Sequence, residues 1–194
     1  SMYEFIRGAV TGLSPANVIV ETGGVGYFIN ISLNTYSKIN GQKNAHLLIH
    51  QVVREDAHIL FGFAEQRERD LFRNLISVNG VGANTAIMML SSLNPDELIT
   101  AVTSGNADVL KAVKGIGAKT AQRIIIDLKD KFGKIPETGQ FLISSDNTTQ
   151  KESLSALVML GFAKKDAEKV VSKIIREEPD AAVESVIKRA LKRL

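Results

Sequence analysis

The 194-residue sequence contains no cysteine and no tryptophan, and only 6% of its residues are aromatic. Without cysteine the chain has no disulfide, thiol nucleophile, zinc finger or thioether link to haem. The longest segment without a charged residue, 74–95, is interrupted by Asn79, Gly80, Gly82 and Asn84, which argues against a membrane helix. The N-terminus has no basic segment followed by an apolar one, so it does not match a secretory signal. We therefore expect a cytoplasmic protein without a membrane partner.

A strong excess of either charge is also missing, since 24 basic and 21 acidic residues leave a net charge of +3. Residues 1–63 carry four of each sign, residues 64–132 carry nine basic and eight acidic residues, and residues 151–194 carry ten and seven. The overall composition is that of a globular protein, which excludes disordered and collagen-like classes. Because no charge run would attract a polyanion, nucleic-acid binding would require backbone groups and a few placed cations.

The hydrophobic periodicity changes once, near residue 64. Before it, β-branched and aromatic runs predict five short strands in a small closed or partly closed barrel of the oligonucleotide/oligosaccharide-binding (OB) type. The predicted strands are 4–10, 17–21, 25–32, 46–54 and 57–63. After it, a helical period predicts five helices at 66–78, 83–91, 95–103, 107–113 and 118–132. The fold class is α+β and multidomain, with a barrel domain over 1–63 and an all-α domain over 64–132.

The last third of the chain begins with a segment that has no helical period. Residues 133–150 are rich in Gly, Pro, Ser, Thr and Asn, which predicts a flexible linker. Three amphipathic helices at 151–160, 165–176 and 181–194 follow and predict a small domain over 151–194. At this size the domain is near the lower limit for independent folding.

Two segments 35 residues apart share one pattern, LISVNGVGANTAIMML at 75–90 and LKAVKGIGAKTAQRII at 110–125. Each predicts a helix, a Gly-apolar-Gly hairpin and a second helix that starts with small residues. Glycine allows a positive φ and close approach of another backbone, and the first amides of the following helix are free to bind a phosphate. The pair predicts a tandem helix-hairpin-helix domain that binds nucleic-acid backbones independently of sequence. For one copy alone, a tight turn without a ligand is the alternative.

The predicted phosphate contacts lie in the first hairpin (residues 79–82), the second hairpin (residues 114–117) and the helices that follow them. Val81 and Ile116 are expected to point inward. Lys119 and Arg123 add cations in the second copy, whereas Asn84 occupies the place of Lys119 in the first, which predicts a weaker site there. The full predicted set is Asn79, Gly80, Gly82, Ala83, Asn84, Lys114, Gly115, Gly117, Ala118, Lys119, Thr120 and Arg123.

No catalytic residue, metal site or cofactor is predicted. GIGAKT lacks the glycine before lysine that a P-loop requires, and neither GVGYFI nor GVGANT has the third glycine of a dinucleotide fingerprint. His46, His50 and His58 come without a matching carboxylate or nucleophile, so packed or solvent-facing histidines are expected. Two alternatives remain, a repair nuclease or glycosylase that carries helix-hairpin-helix motifs and an adaptor whose hairpins are only structural.

The order of barrel, tandem helix-hairpin-helix, linker and three-helix module resembles the RuvA family, the Holliday-junction-binding subunits of the bacterial RuvAB branch-migration machine. The resemblance spans the chain. It rests on FIRG at 5–8, GGVGY at 23–27, VVREDA at 52–57, FGF at 61–63, NGVG at 79–82, KGIGAKTAQR at 114–123 and ALVMLGF at 156–162.

This resemblance implies a homotetramer, or an octamer when two tetramers cover one junction, that holds four-way junction DNA open. It implies a role in homologous recombination, DNA repair and the SOS response to DNA damage, without an ATPase activity of the chain itself. Glu55 and Asp56 would form an acidic pin near the crossover that helps to separate strands.

The resemblance also implies that a C-terminal domain, similar to ubiquitin-associated domains, contacts the hexameric RuvB ATPase, with the RuvC resolvase joining a larger complex. The residues expected at the motor contact are Leu157, Leu160, Phe162, Ile187 and Leu191.

Overall fold

The computed structural model describes residues 2–133 and 145–194. The chain divides into two compact units, residues 1–137 and 138–194, and each is described by itself. Of the predicted linker, residues 134–144 lie outside the described residues.

The first unit begins with a closed five-stranded barrel. β1 pairs antiparallel with β2 and β4, β2 with β3, and β4 with β5, and the parallel pairing of β3 with β5 closes the barrel. The strands are β1 (Phe5–Leu13), β2 (Asn17–Thr22), β3 (Val25–Ile31), β4 (Asn44–Val53) and β5 (His58–Phe63). Alternate residues such as Val18, Val20, Leu47 and Ile49 are fully buried inside, as the period of two requires. The predicted OB-type fold is confirmed.

A short helix that the sequence did not reveal, α1 (Leu33–Ile39), connects β3 to β4. Its start is stabilised by the Ser32 hydroxyl, which accepts a hydrogen bond from the Thr35 amide at 3.1 Å. With seven residues it spans too few turns to show a helical period, which is why the sequence pattern missed it.

Five helices complete the first unit and share one core with the end of the barrel. They are α2 (Gln66–Ile76), α3 (Ala83–Ser92), α4 (Pro95–Thr103), α5 (Ala107–Lys111) and α6 (Ala118–Phe132). Each lies where the sequence predicts a helix, within two residues at either end. Before α4, Asn94 and Glu97 bond reciprocally to each other's backbone amides, and this capping box explains why the start of α4 was predictable.

Two buried charged residues of α2 fix the helix to the barrel. Glu68 accepts hydrogen bonds from the hydroxyls of Ser32 and Thr35, the latter at 2.7 Å. Arg69 donates to the backbone carbonyls of Glu4 at 3.0 Å and Ile49 at 3.3 Å. Both side chains are almost fully buried, so breaking either set would leave an unpaired polar group in the core.

The burial of Glu68 predicts an unusual dependence of stability on pH. Burial raises the pKa of the Glu68 carboxyl above its ordinary value of 4.5, against the opposing effect of the Ser32 and Thr35 hydrogen bonds. Because the folded-state pKa is higher than the unfolded-state one, the ionised carboxylate destabilises the fold at neutral pH. This penalty disappears as pH falls from the folded-state pKa toward 4.5.

We therefore expect the free energy of unfolding of Glu68→Gln, relative to that of the native protein, to fall as the pH is lowered from 7 to 4.5, because the native protein gains stability over this range. Denaturant titrations at several pH values measure this difference. The control is Glu21→Gln, which removes a carboxyl at an exposed position of β2 and so measures the effect of losing one acidic group from the surface. A difference for Glu68→Gln that changes with pH no more than the control's does would contradict the raised pKa of Glu68.

The second unit is a three-helix bundle of α7 (Ser145–Met159), α8 (Lys164–Glu177) and α9 (Val183–Leu191). Its core consists of Leu157, Ala167, Val171, Ile174, Val186 and Ala190. α7 begins six residues before the predicted helix. In this added segment the Gln150 amide donates to the Ser172 hydroxyl of α8 at 3.0 Å, a tertiary contact that no local period could reveal. Among residues 2–133 and 145–194, no helix has the length and apolarity needed to cross a membrane.

Candidate nucleic-acid interface

The first and second hairpins have nearly the same backbone conformation. Gly80 and Gly115 have φ values of 93° and 91°, in the left-handed region that favours glycine. Gly82 and Gly117 are the N-cap residues of α3 and α6, with φ values of −82° and −84° that any residue adopts. The turn therefore explains the first glycine of each pair but not the second.

The apolar residue between each pair of glycines points inward, as predicted. Val81 and Ile116 are each only 5% exposed. The Val81 amide donates to the Val78 carbonyl at 3.0 Å, and the Ile116 amide donates to the Val113 carbonyl at 3.1 Å. One buried side chain and one backbone hydrogen bond thus hold each hairpin in place.

Open space lies in front of the second glycine of each hairpin. Among residues 2–133 and 145–194, a Cβ atom added to Gly82 or Gly117 would meet nothing within 4 Å, so packing against these residues does not require glycine there. The first intrahelical hydrogen bonds run from the amides of Ala86 and Ala121 to the carbonyls of these glycines. The amides of the three residues that follow each glycine therefore have no partner within the helix. An absent side chain at these places leaves room for an approaching ligand.

The N-termini of α3 and α6 also lack the capping groups that other helices of the first unit carry. α4 and α5 have an asparagine N-cap side chain and acidic residues in the first turn. At α3 and α6 the N-cap residue is a glycine, which makes no side-chain capping bond in the described part of the chain, and the first turn holds no acid. The partial positive charge of both helix ends is therefore available to an anion.

The predicted phosphate-binding residues all lie on the accessible side of the hairpins. Ala83 and Thr120 are half-buried, and the others are exposed, namely Asn79, Gly80, Gly82, Asn84, Lys114, Gly115, Gly117, Ala118, Lys119 and Arg123. Within residues 2–133, Lys114 and Lys119 form no ion pair. Arg123 Nη1 donates to the Asn79 carbonyl at 3.2 Å, a contact between the two copies that the sequence pattern did not indicate.

Glu55 and Asp56 lie at the tip of the β4–β5 hairpin. The turn is closed by the Arg54 amide, which donates to the Ala57 carbonyl at 2.8 Å. Both acidic side chains are exposed, and neither forms an ion pair within the part of the chain that the structure describes. The tip of this hairpin therefore carries two exposed negative charges that form no ion pair in the described residues, beside the positive charge of the exposed Arg54.

The predicted motor-contact residues differ in exposure. Leu157 is fully buried in the core of the second unit, so the expectation that it lies on a contact surface is wrong. The helical turn of α7 directs it toward that core. Leu160 and Leu191 are 61% and 44% exposed, while Phe162 and Ile187 are half-buried against the same core. Met159, which the predicted set does not include, is 85% exposed beside Leu160.

The histidines of the barrel contact aromatic rings or solvent. The His46 ring lies 4.8 Å from that of Phe5, and the His50 ring lies 5.3 Å from that of Phe72. Burial, and then the charge of Arg73, lowers the pKa of His50. His58 is exposed. In the described residues, no group of three or more histidine, aspartate or glutamate side chains is arranged to hold a metal ion.

The chain combines an OB-type barrel with two similar hairpins, each followed by a helix whose N-terminus is uncapped. These features place it in the class of multidomain proteins with a tandem helix-hairpin-helix domain. Three family models match the chain: "RuvA N terminal domain" over residues 2–62, "SAM-like Helix-hairpin-helix tandem" over 72–130 and "RuvA, C-terminal domain" over 149–194. The chain belongs to the RuvA family.

Several curated relatives are similar to the chain over its whole length. Each is named Holliday junction branch migration complex subunit RuvA, and each alignment covers 100% of both sequences. The identity is 52% over 201 residues for the protein of Bacteroides thetaiotaomicron, 49% over 193 residues for that of Christiangramia forsetii and 48% over 202 residues for that of Porphyromonas gingivalis.

Proposed function

We propose that the chain binds four-way Holliday junction DNA by its shape and not by its sequence, as the DNA-binding subunit of a branch-migration complex. The names of its relatives support this function. The observation that carries it is the pair of uncapped helix N-termini at α3 and α6, each behind a glycine with open space in front.

In this proposal the second hairpin is the stronger phosphate site. A phosphate oxygen in front of Gly117 would accept hydrogen bonds from the free amides of Lys119 and Thr120, and the Lys119 ammonium would add a charge. At the first hairpin Asn84 replaces that lysine. The N-terminus of α3 would therefore bind a phosphate without a positively charged side chain in its first turn. Contacts of this kind position a duplex without reading its bases, which suits a junction that occurs at any sequence.

The assembly proposed on the junction is a homotetramer, or an octamer when two tetramers enclose the DNA. A junction with four equivalent arms fits four equivalent subunits around one axis. A subunit contact through the barrel is supported by an exposed apolar pair, since Ile19 of β2 lies opposite Phe28 of β3 and the two are 37% and 55% exposed.

The second unit is proposed to contact the hexameric RuvB ATPase, whose ATP hydrolysis drives branch migration in recombination, DNA repair and the SOS response, with RuvC as a further partner. Support comes from the exposed apolar side chains of Val158, Met159, Leu160 and Leu191. The chain itself is not an enzyme in this proposal, and its place of action is the cytoplasm.

An electrophoretic mobility shift with four-way, duplex and single-stranded DNA of shared sequence tests the function. We expect the four-way junction to be bound at a concentration at least about tenfold lower than duplex, and a junction with unrelated arm sequences to be bound equally well. Cleavage of the DNA would support the nuclease alternative. Equal, weak binding of all three substrates would contradict junction recognition and favour the adaptor.

A further inference from the structure

Arg123 belongs to the second copy of the helix-hairpin-helix pattern, but its side chain contacts the first. Arg123 lies on α6, and its Nη1 donates to the backbone carbonyl of Asn79, at 3.2 Å, across 44 positions of sequence. Asn79 is the residue that opens the first hairpin. The peptide plane that precedes Gly80 is therefore held by a side chain from the other copy.

Within residues 2–133, the second copy donates such a bond to the first copy, and the first copy donates none in return. The 35-residue offset pairs Arg123 with Met88 and Asn79 with Lys114. Met88 is 44% exposed, and its thioether has no hydrogen to donate. Within residues 2–133 no side chain donates to the Lys114 carbonyl, whereas the two hairpins share their inward apolar residue and their backbone hydrogen bond.

The first hairpin is the one that gains from such a contact. Both hairpins contain a glycine at a positive φ, which can leave that conformation more easily than other residues. The difference lies in the first turn of the helix that follows, which contains Asn84 in the first copy and Lys119 in the second. With no cation of its own in that turn, this phosphate site depends on the orientation of its amides, and that orientation follows from the Asn79–Gly80 peptide.

We propose that Arg123 is a positioning residue for the first hairpin rather than a phosphate ligand of the second. By fixing the Asn79 carbonyl against α6, it sets the spacing between the two phosphate sites of one subunit. The consequence for DNA rests on the proposed function, but the contact itself belongs to the protein without DNA, so the two can be tested separately.

The first test measures amide hydrogen exchange in the full-length protein without DNA. The reporter is the amide of Val81 in the first hairpin, and the matched reference is the amide of Ile116 in the second, since both donate to the equivalent carbonyl. Arg123→Met installs the residue that the first copy itself carries at this place. Losing one hydrogen bond of about 1 kcal/mol should raise exchange at Val81 about fivefold and leave Ile116 unchanged.

Two variants separate hydrogen bonding from charge. Arg123→Lys keeps a donor and should hold Val81 exchange within about twofold of the native protein. Lys119→Ala removes one positive charge from the same helix and should change neither reporter. Unchanged exchange at Val81 in Arg123→Met, or an equal rise at Val81 and Ile116, would overturn the proposal.

The second test measures junction binding as a function of salt concentration. The plot of log K against log salt has a negative slope, and removing a phosphate ligand makes it shallower by about 0.9 for each subunit bound. We expect this change for Lys119→Ala. Arg123→Met should instead weaken binding severalfold at every salt concentration with a nearly unchanged slope. If the slope for Arg123→Met becomes as shallow as the slope for Lys119→Ala, Arg123 is a phosphate ligand and the proposal is overturned. If the native protein binds no junction, the proposed function fails, and the exchange experiment still decides the role of Arg123 in the hairpin.

Discussion

Gly117→Val is expected to reduce junction affinity at least about 100-fold while leaving the fold of the protein intact. The backbone of Gly117 is extended, with φ −84° and ψ 169°, a conformation that a β-branched residue readily adopts. An added Cβ would meet no atom of the described residues within 4 Å. The new side chain would instead fill the space through which a phosphate reaches the start of α6.

The size of the effect follows from the chemistry of the lost contacts. A hydrogen bond to a charged group contributes about 1.5–3 kcal/mol, and each 1.4 kcal/mol corresponds to a tenfold change in affinity. Losing one such bond in every subunit of a tetramer therefore exceeds 100-fold by a wide margin. Fluorescence anisotropy with a labelled four-way junction measures the affinity. Thermal unfolding measures the fold, and a cost below about 1 kcal/mol is expected from the poorer N-cap.

Neighbouring glycines provide the matched controls. Gly82→Val makes the same change at the first hairpin and should cost less affinity, because the site that it blocks lacks a lysine. Gly115→Val places a β-branched residue at a φ of 91° and should lower the melting temperature, because this conformation is strained for valine. Native affinity in Gly117→Val would mean that no phosphate approaches this helix end.

Much of the fold and of the candidate interface was predictable from local patterns. The period-two and helical runs located the five strands and the main helices, and the repeated glycines located both hairpins with the inward residues Val81 and Ile116. Each of these patterns can be recognised from a few consecutive residues. The second glycine of each hairpin was predictable for a different reason, because close approach of a ligand backbone also demands glycine.

What the sequence did not reveal depends on partners that are distant along the chain. Glu68 and Arg69 lie in a run of charged residues at the start of α2, and nothing in that run indicates that they are buried. In the structure they bond to hydroxyls and carbonyls of the barrel domain. The bond from Arg123 to Asn79 joins two copies of a repeat, and a repeat predicts only what its copies share. The burial of Leu157 depends on which face of α7 meets the other two helices.

These distant contacts hold the barrel and the hairpins together as parts of one unit. Besides the bonds of Glu68 and Arg69, the Leu33 amide of α1 donates to the Ser91 hydroxyl of α3 at 3.0 Å, and the Asn34 amide group donates to the Leu93 carbonyl at 3.3 Å. These polar bonds, together with the shared hydrophobic core, fix the helices of the hairpins to the barrel. If the chain binds DNA as proposed, this attachment holds the acidic tip of the barrel at a defined distance from both proposed phosphate sites.

Replacing Glu55 and Asp56 together by glutamine and asparagine is expected to raise the affinity for plain duplex DNA more than the affinity for a four-way junction. Both carboxylates are exposed and unpaired within the described residues. Like charges repel within a Debye length of about 8 Å at physiological salt, so acidic groups on a DNA-facing surface oppose binding. Their presence is explained if they act against wrong substrates.

In the proposed tetramer four acidic tips meet near the crossover. There they would exclude phosphates from the centre and prevent a continuous duplex from lying across the face, while the four arms of a junction pass around them. Removing the charges should therefore lower the ratio of junction affinity to duplex affinity. This decrease should become smaller as the salt concentration is raised, because salt screens the repulsion.

Competition titrations of junction against duplex at low and high salt measure this preference. The control is the double variant Asp166→Asn and Glu168→Gln, which changes the net charge equally at two exposed residues of α8 in the second unit. If the control narrows the preference as much as the tip variant does, overall charge is the cause. If the tip variant binds both substrates with native affinity even at low salt, the tip is a solvated turn, and selection of the junction must come from the spacing of the two hairpins.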